Sequence, residues 1–288
     1  MKKVILNADD FGLTRGVNEG IIRSHREGIL TSATLMATGP AFDDAAERAR
    51  ATPKLGIGCH LVLTGGTSVA PPEKIPSLAS PDGQLPTTLA AFVARVSSGR
   101  ISTADIETEL RAQIEKIRRA GIDPTHVDTH KHTHVHPRVM NVVARVAKDS
   151  GITRIRNPIE NLGDSWRSTR GDGPDRMKNL AASAAVLSVA SQFRAVSRKY
   201  GLRSPDHFLG LAATGRLDAG ALSRLLEAVP DGHTEIMLHP GVCDADLAKT
   251  GSRLQEQRQI EMEALLSPEA KRAVQERGVE LITYRELD

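Results

Sequence analysis

Aromatic residues are scarce: five Phe, two Tyr and one Trp make up 3% of the 288 residues. The core must therefore rest on Leu, Ile, Val and Ala, and the scarcity argues against a ring-stacking platform for single-stranded nucleic acid. Cysteine is also rare. Cys59 and Cys243 form no CxxC motif and cannot make a disulfide framework, which fits a reduced, cytoplasmic setting. No apolar run approaches the length of a membrane-spanning helix. The run Val4-Ile5-Leu6 stops at Asn7, too short for the core of a signal peptide. A soluble cytoplasmic protein without a transmembrane segment is expected. Excess charge is missing too. With 38 Lys and Arg against 35 Asp and Glu the net charge is +3, far from the field of a nucleic-acid binder, so no nucleic-acid partner is expected. Finally, no Gly-rich phosphate loop follows the first apolar run, which counts against a nucleotide fold.

What the chain does have is histidine, concentrated in one place. Of ten histidines, five lie between Thr125 and Pro137: His126, His130, His132, His134 and His136. With Asp128 they occupy even positions. A strand sends alternate side chains to one face, so an extended run would put all six together. Neutral imidazole is the commonest transition-metal ligand, and a nearby carboxylate can ligate or orient a histidine. A solvated His-rich loop is the plainer reading, and five histidines in eleven residues weigh against it.

The rest of the chain alternates between short apolar runs and amphipathic stretches, about seven times. Strands are expected at 4–7, 32–38, 56–63, the histidine run, 153–156, 207–212, 234–238 and 279–284. Helices are expected near 14–27, 41–51, 88–98, 102–120, 137–148, 174–200, 218–228, 253–265 and 268–277. Ser102 with Asp105 resembles a capping box. The Pro/Gly/Ser-rich segment 64–86 reads as a lid or a disordered insertion. No internal repeat or linker divides the chain, so one domain over 1–288 is expected. The rhythm indicates α/β structure with a parallel sheet, open or closed. Asp9, Asp10, His60, His130 and His239 all fall at or just past the C-terminal ends of expected strands. That distribution over several strands favours a deformed TIM-like (β/α) barrel of about seven parallel strands.

A hydrolytic metal site needs ligands that leave positions open, a base for water and an acid for the leaving group. Asp9-Asp10 offers a ligand and a base, although Asp-Asp is also common at turns and helix starts. His60 alone would suit a hydrogen-bonded core position, and His239 before Pro240-Gly241 could simply shape a turn. Their convergence on one rim is the argument for chemistry.

Four stretches then carry a resemblance. Asn7-Ala8-Asp9-Asp10-Phe11-Gly12-Leu13, Gly58-Cys59-His60-Leu61-Val62-Leu63, Thr125-His126-Val127-Asp128-Thr129-His130-Lys131-His132 and Glu235-Ile236-Met237-Leu238-His239-Pro240 resemble, in order, the motifs of the YdjC/ChbG carbohydrate deacetylases. The similarity spans nearly the whole chain. It implies a deformed barrel and removal of the acetyl group from an N-acetylated amino sugar. It implies Asp10, His60 and His130 as metal ligands, Asp9 as general base and His239 as general acid. One divalent ion is implied, magnesium by family; the donor set would also suit zinc or another transition metal. His132 and His134 remain as candidates for the substrate cleft, with His132 also able to ligate. Arg154 and Arg156 could line the cleft or orient Asp9.

The segment Leu35–Pro40, the loop 71–76 and the 174–200 helix look more like the hopanoid-associated, HpnK-like branch, linked to an N-acetylglucosaminyl hopanoid lipid. Leu180, Ala184, Leu187 and Phe193 would give that helix an apolar side, and peripheral membrane contact or ordinary packing would both use it. A homodimer is an open assembly state. Two rivals remain: a phosphoesterase on the same barrel, which would lean on Arg154 and Arg156, and a sugar-binding protein without catalysis.

Overall fold

Strand β1 (Lys2–Phe11) is the axis of the molecule, buried on both faces from Val4 onward. The computed structural model describes residues 1–161, 181, 184 and 186–287. In chain order β1 is followed by α1 (Arg15–Arg26), β2 (Ser32–Leu35), α2 (Phe42–Arg50), β3 (Gly56–Leu61), α3 (Leu89–Ser97), α4 (Thr103–Arg119), β4 (Val127–Thr129) and α5 (Pro137–Asp149). Then come α6 (Ala190–Tyr200), β5 (His207–Leu209), α7 (Ala219–Ala228), β6 (Gly232–Leu238), α8 (Ala245–Lys249), α9 (Glu256–Leu266), α10 (Pro268–Glu276) and β7 (Val279–Leu281).

Among the described residues, seven strands form one sheet in the order β4-β3-β2-β1-β6-β5, with β7 paired to β1. Every ladder is parallel. β6 runs along one edge of β1 from Lys2 to Ala8, while β7 and then β2 share the other. Helices alternate with strands because parallel neighbours need crossovers, and each crossover buries its apolar stripe on the sheet. Val139, Val142, Val143 and Val146 of α5 make one such stripe, all but excluded from solvent.

The expected 153–156 strand is reduced to isolated parallel bridges, Val127 to Ile155 and Arg154 to Arg203, with Glu160 bridging to Phe208 further on. These contacts touch both outer strands, β4 and β5. The curled sheet is thus closed by an irregular segment, which gives the α/β barrel its deformation.

Several expectations change in detail. The histidine run is a strand only through Thr129. His130–Val135 form a tight 3-10 stretch in which Lys131 and His132 take left-handed backbone angles, φ 53° and 51°. The six even positions therefore do not share a face. The 64–86 segment is neither open nor irregular throughout: Ile75, Leu78 and Leu85 are buried, and the Glu109 carboxylate accepts the Val69 and Ala70 N–H groups. Ser102 caps α4 through the Ala104 N–H, but Asp105 binds Ser77 and completes no capping box. Of the expected 174–200 helix, 174–180, 182, 183 and 185 lie outside the described residues. Its described end, α6, turns Phe193 and Val196 inward and packs on α5, the ordinary role of an amphipathic helix. Among the described residues, no helix is long and apolar enough to cross a membrane.

Candidate active site

The site begins with a defect in β1. Neighbouring residues of a regular strand point to opposite faces, yet here both Asp9 and Asp10 are buried at the same end of the barrel. The β1–β2 register slips between Ala8 and Phe11, and Asp10 takes φ 65°. A left-handed Asp within a strand costs about 1–3 kcal/mol and persists only where its surroundings fix it. The bulge lets two adjacent carboxylates serve one site.

Asp10 meets two imidazoles. Its Oδ1 lies 3.4 Å from His60 Nε2 and 3.2 Å from His130 Nδ1. The two histidine nitrogens are 3.2 Å apart. His60 is held by its other nitrogen, with Nδ1 2.8 Å from Asp128 Oδ1. The pair faces across the β3–β4 ladder, where His60 and Asp128 are register partners. Asp128 thus accepts from Nδ1–H and turns Nε2 toward Asp10, the arrangement that orients a metal-ligating histidine.

This triangle fits a metal ion. A tetrahedral ion about 2.0–2.1 Å from its donors spaces them by about 3.3–3.4 Å, close to the three edges. Asp10 Oδ1 is buried with no hydrogen-bond partner, while Oδ2 is taken by Arg258 Nη2 at 2.6 Å. Burial would raise the Asp10 carboxyl, but Arg258, His130 and His60 hold it well below the usual carboxylate range. Burial likewise opposes a charged His60, yet Asp128, Asp10 and Asp9 push its imidazole up to about 10. The carboxylates favour positive charge at this point, which a divalent cation would supply.

Beneath the triangle lies Arg156, fully excluded from solvent. Nη2 and Nη1 donate to the two oxygens of Asp9 at 2.6 and 2.7 Å, and Nε to Glu235 Oε1 at 2.9 Å. Nη1 is also 2.7 Å from Asp128 Oδ2. Tyr284 OH completes Glu235 at 2.5 Å. Burial would raise the Asp9 carboxyl; Arg156 outweighs it and drives the carboxyl far down. Asp9, His60 and Asp128 also lie within ligand distance of one another. A guanidinium already bonds both carboxylates, so this second set is filled by a cation of the chain's own.

His239 follows β6, half-buried at the rim. Its N–H donates to Glu261 Oε2 at 2.5 Å. Burial lowers the His239 imidazole to about 4 despite Asp9 and Asp10, so it rests neutral. Gly20 lets α1 approach this turn, since a Cβ there would meet Gly241 at 2.4 Å. Asp9, Asp10, His60, His130, His132 and His239 all line one cleft of about 580 Å³, and among the described residues that line it there is no Phe, Tyr or Trp.

Three of the four cleft candidates do not line it. His134 is fully buried, its Nδ1 2.6 Å from Thr129 Oγ1 and its ring against Phe193. Arg154 reaches the Leu287 and Arg285 carbonyls, away from the cleft. Arg156 lies under the site and orients Asp9. His132 lines the cleft with its ring edge-on to Phe208, and it does not join the triangle. His126 stacks on Tyr284 with centroids 3.5 Å apart, over Gly58, where a Cβ would strike its ring. The residue that sequence reasoning missed is Arg258. Nothing in the charged stretch Glu256–Arg258 marks it as buried.

The family model described as YdjC-like protein matches residues 3–276. The chain belongs to the YdjC-like family. A carbohydrate deacetylase from Geobacillus stearothermophilus is 38% identical over 284 residues, 98% of this chain and 97% of that one. A chitooligosaccharide deacetylase from Klebsiella pneumoniae is 32% identical, covering 99% of this chain and 98% of its own. Among solved structures, a candidate cellobiose-phosphate cleavage protein from Enterococcus faecalis V583 superposes with a TM-score of 0.80 at 29% identity, over 99% of this chain and 98% of that one. In this YdjC-like protein the triangle of Asp10, His60 and His130, the clamped Asp9 carboxylate and the neutral His239 lie together along one cleft.

Proposed function

We propose that this protein is a metal-dependent carbohydrate deacetylase that hydrolyses the acetamide of an N-acetylated amino sugar. The observation that carries the reading is the donor triangle of Asp10, His60 and His130, in a chain whose full-length relatives are named carbohydrate deacetylases. A divalent ion there would supply Lewis acidity, lowering the pKa of a water molecule and polarising the acetyl carbonyl.

The remaining steps belong to the chain's own residues. Asp9 takes the proton from the attacking water. Arg156 occupies both its oxygens, but each retains a second lone pair. The clamp keeps Asp9 ionised at any working pH, at a cost in basicity. His239 starts neutral, receives the water proton that Asp9 took as negative charge develops on the carbonyl, and passes it to the departing nitrogen, which returns Asp9 to its ionised form. Asp9 and Asp10 both favour its protonated form. The C–N bond breaks, leaving acetate and a free amine.

Magnesium is the family's usual ion, while two imidazoles and one carboxylate suit zinc by ligand softness. The substrate is either a chitooligosaccharide or an N-acetylglucosaminyl hopanoid. The phosphoesterase alternative would need cations other than Arg154 and Arg156, which do not face the cleft; Lys131, Arg253 and Arg258 line it, and a phosphatase assay on the same preparation separates the two readings. The test is acetate release from both substrates by chelator-stripped protein refilled with magnesium, zinc or cobalt. Metal-dependent release supports the reading and selects the substrate. No release at full metal occupancy overturns it.

A further inference from the structure

Arg258 is among the most buried charged residues of the chain, 2% exposed, yet it comes from helix α9, far from β1 in sequence. Its guanidinium is anchored in the turn just ahead of its own helix, with Nε donating to the Leu254 carbonyl at 3.2 Å. Nη2 then donates to Asp10 Oδ2 at 2.6 Å. Its backbone carbonyl accepts the Gly241 N–H at 3.0 Å. One turn on, Glu261 accepts the His239 N–H. One face of α9 therefore grips both the carboxylate corner of the donor triangle and the turn that carries His239.

We propose that Arg258 is a positioning residue for the metal site, acting through the Asp10 carboxylate, an inference that rests on the metal-site reading above. A carboxylate on a strained, left-handed residue has two equivalent oxygens and can swing between them. Binding Oδ2 removes that choice. Oδ1 is left without a hydrogen bond, 3.2 and 3.4 Å from the two histidine nitrogens. Charge alone would argue the opposite role, since a cation beside the site repels a second cation. The two effects predict opposite signs when the guanidinium is removed, and this makes the inference testable.

The experiment titrates zinc into chelator-stripped wild type, Arg258→Met and Arg258→Lys by calorimetry, with thermal unfolding in chelator as a check on folding. Groups that orient metal ligands typically contribute about 10–100-fold in affinity. Arg258→Met is expected to bind zinc about 10–100-fold more weakly. Arg258→Lys keeps a donor and a charge and should recover part of that loss. Unchanged or tighter binding in Arg258→Met would overturn the inference, whether or not activity survives. If Arg258→Met does not fold, Arg258→Lys still decides, because its displaced donor should weaken binding measurably and wild-type affinity would contradict the proposal. Wild type that binds no zinc and no magnesium would overturn the metal-site reading itself, and this inference with it.

Discussion

The floor and the mouth of the site use the same residue types to opposite ends. In the floor, Arg156 satisfies Asp9, Asp128 and Glu235, and Tyr284 completes Glu235. In the mouth, His60 Nε2 and His130 Nδ1 lie 3.2 Å apart, and Asp10 Oδ1 beside them has no hydrogen-bond partner. Both regions are rich in carboxylates. Saturated partners mark the floor as structure, whereas the mouth holds a buried carboxylate oxygen beside two imidazoles, and on the proposed reading this is where the chemistry takes place. Asp9 stands on the boundary, clamped like the floor but placed beside the mouth.

Breaking the floor should have the largest effect. Arg156→Met leaves three buried carboxylates facing each other, and removing one partner of a buried ion pair typically costs about 3–5 kcal/mol. Urea unfolding should show a loss of at least that size, and a loss under 1 kcal/mol would contradict the floor's role. Next comes Asp9→Asn, nearly isosteric and still able to accept from Arg156. It should bind metal as wild type does while turnover falls about 10²–10⁴-fold, the usual range for a lost general base. Near-wild-type kcat would remove Asp9 from that role.

A smaller effect concerns His134, packed behind the floor. Burial lowers its imidazole from 6.5 to about 3. The folded protein therefore holds it neutral while the unfolded chain takes up a proton below about pH 6.5. Stability is lost as pH falls through that window, by about 1.4 kcal/mol per unit, or about 2 kcal/mol at pH 5. His134→Gln should flatten the fall in unfolding free energy between pH 7 and 5 by about that amount; an unchanged slope would contradict it. The smallest effect belongs to His132→Ala. It should raise KM within about tenfold and leave metal content alone, because His132 lines the cleft outside the triangle.

The division between floor and mouth also explains what the sequence could show. Asp9, Asp10, His60, His130 and His239 were legible because a parallel α/β sheet places strand ends on one rim, and each residue ends or follows an apolar run. The seven-strand rhythm was legible for the same reason. The histidine run misled because alternation was extended past Thr129, where Lys131 and His132 turn left-handed. No periodicity announces that turn. Arg258 and the partnership of Arg156 with Glu235 were invisible because they join residues far apart in the chain. The irregular closure through 154–160 carries no strand-like alternation to reveal it.

The central claim is that the leftover donor atoms of Asp10, His60 and His130 hold one metal ion. Metal stoichiometry by elemental analysis, on stripped and refilled wild type, Asp10→Asn and Asp9→Asn, tests it most directly. The account predicts one ion per chain in wild type and Asp9→Asn, and none retained in Asp10→Asn. An ion kept by Asp10→Asn and lost by Asp9→Asn would place the metal in the floor and contradict it.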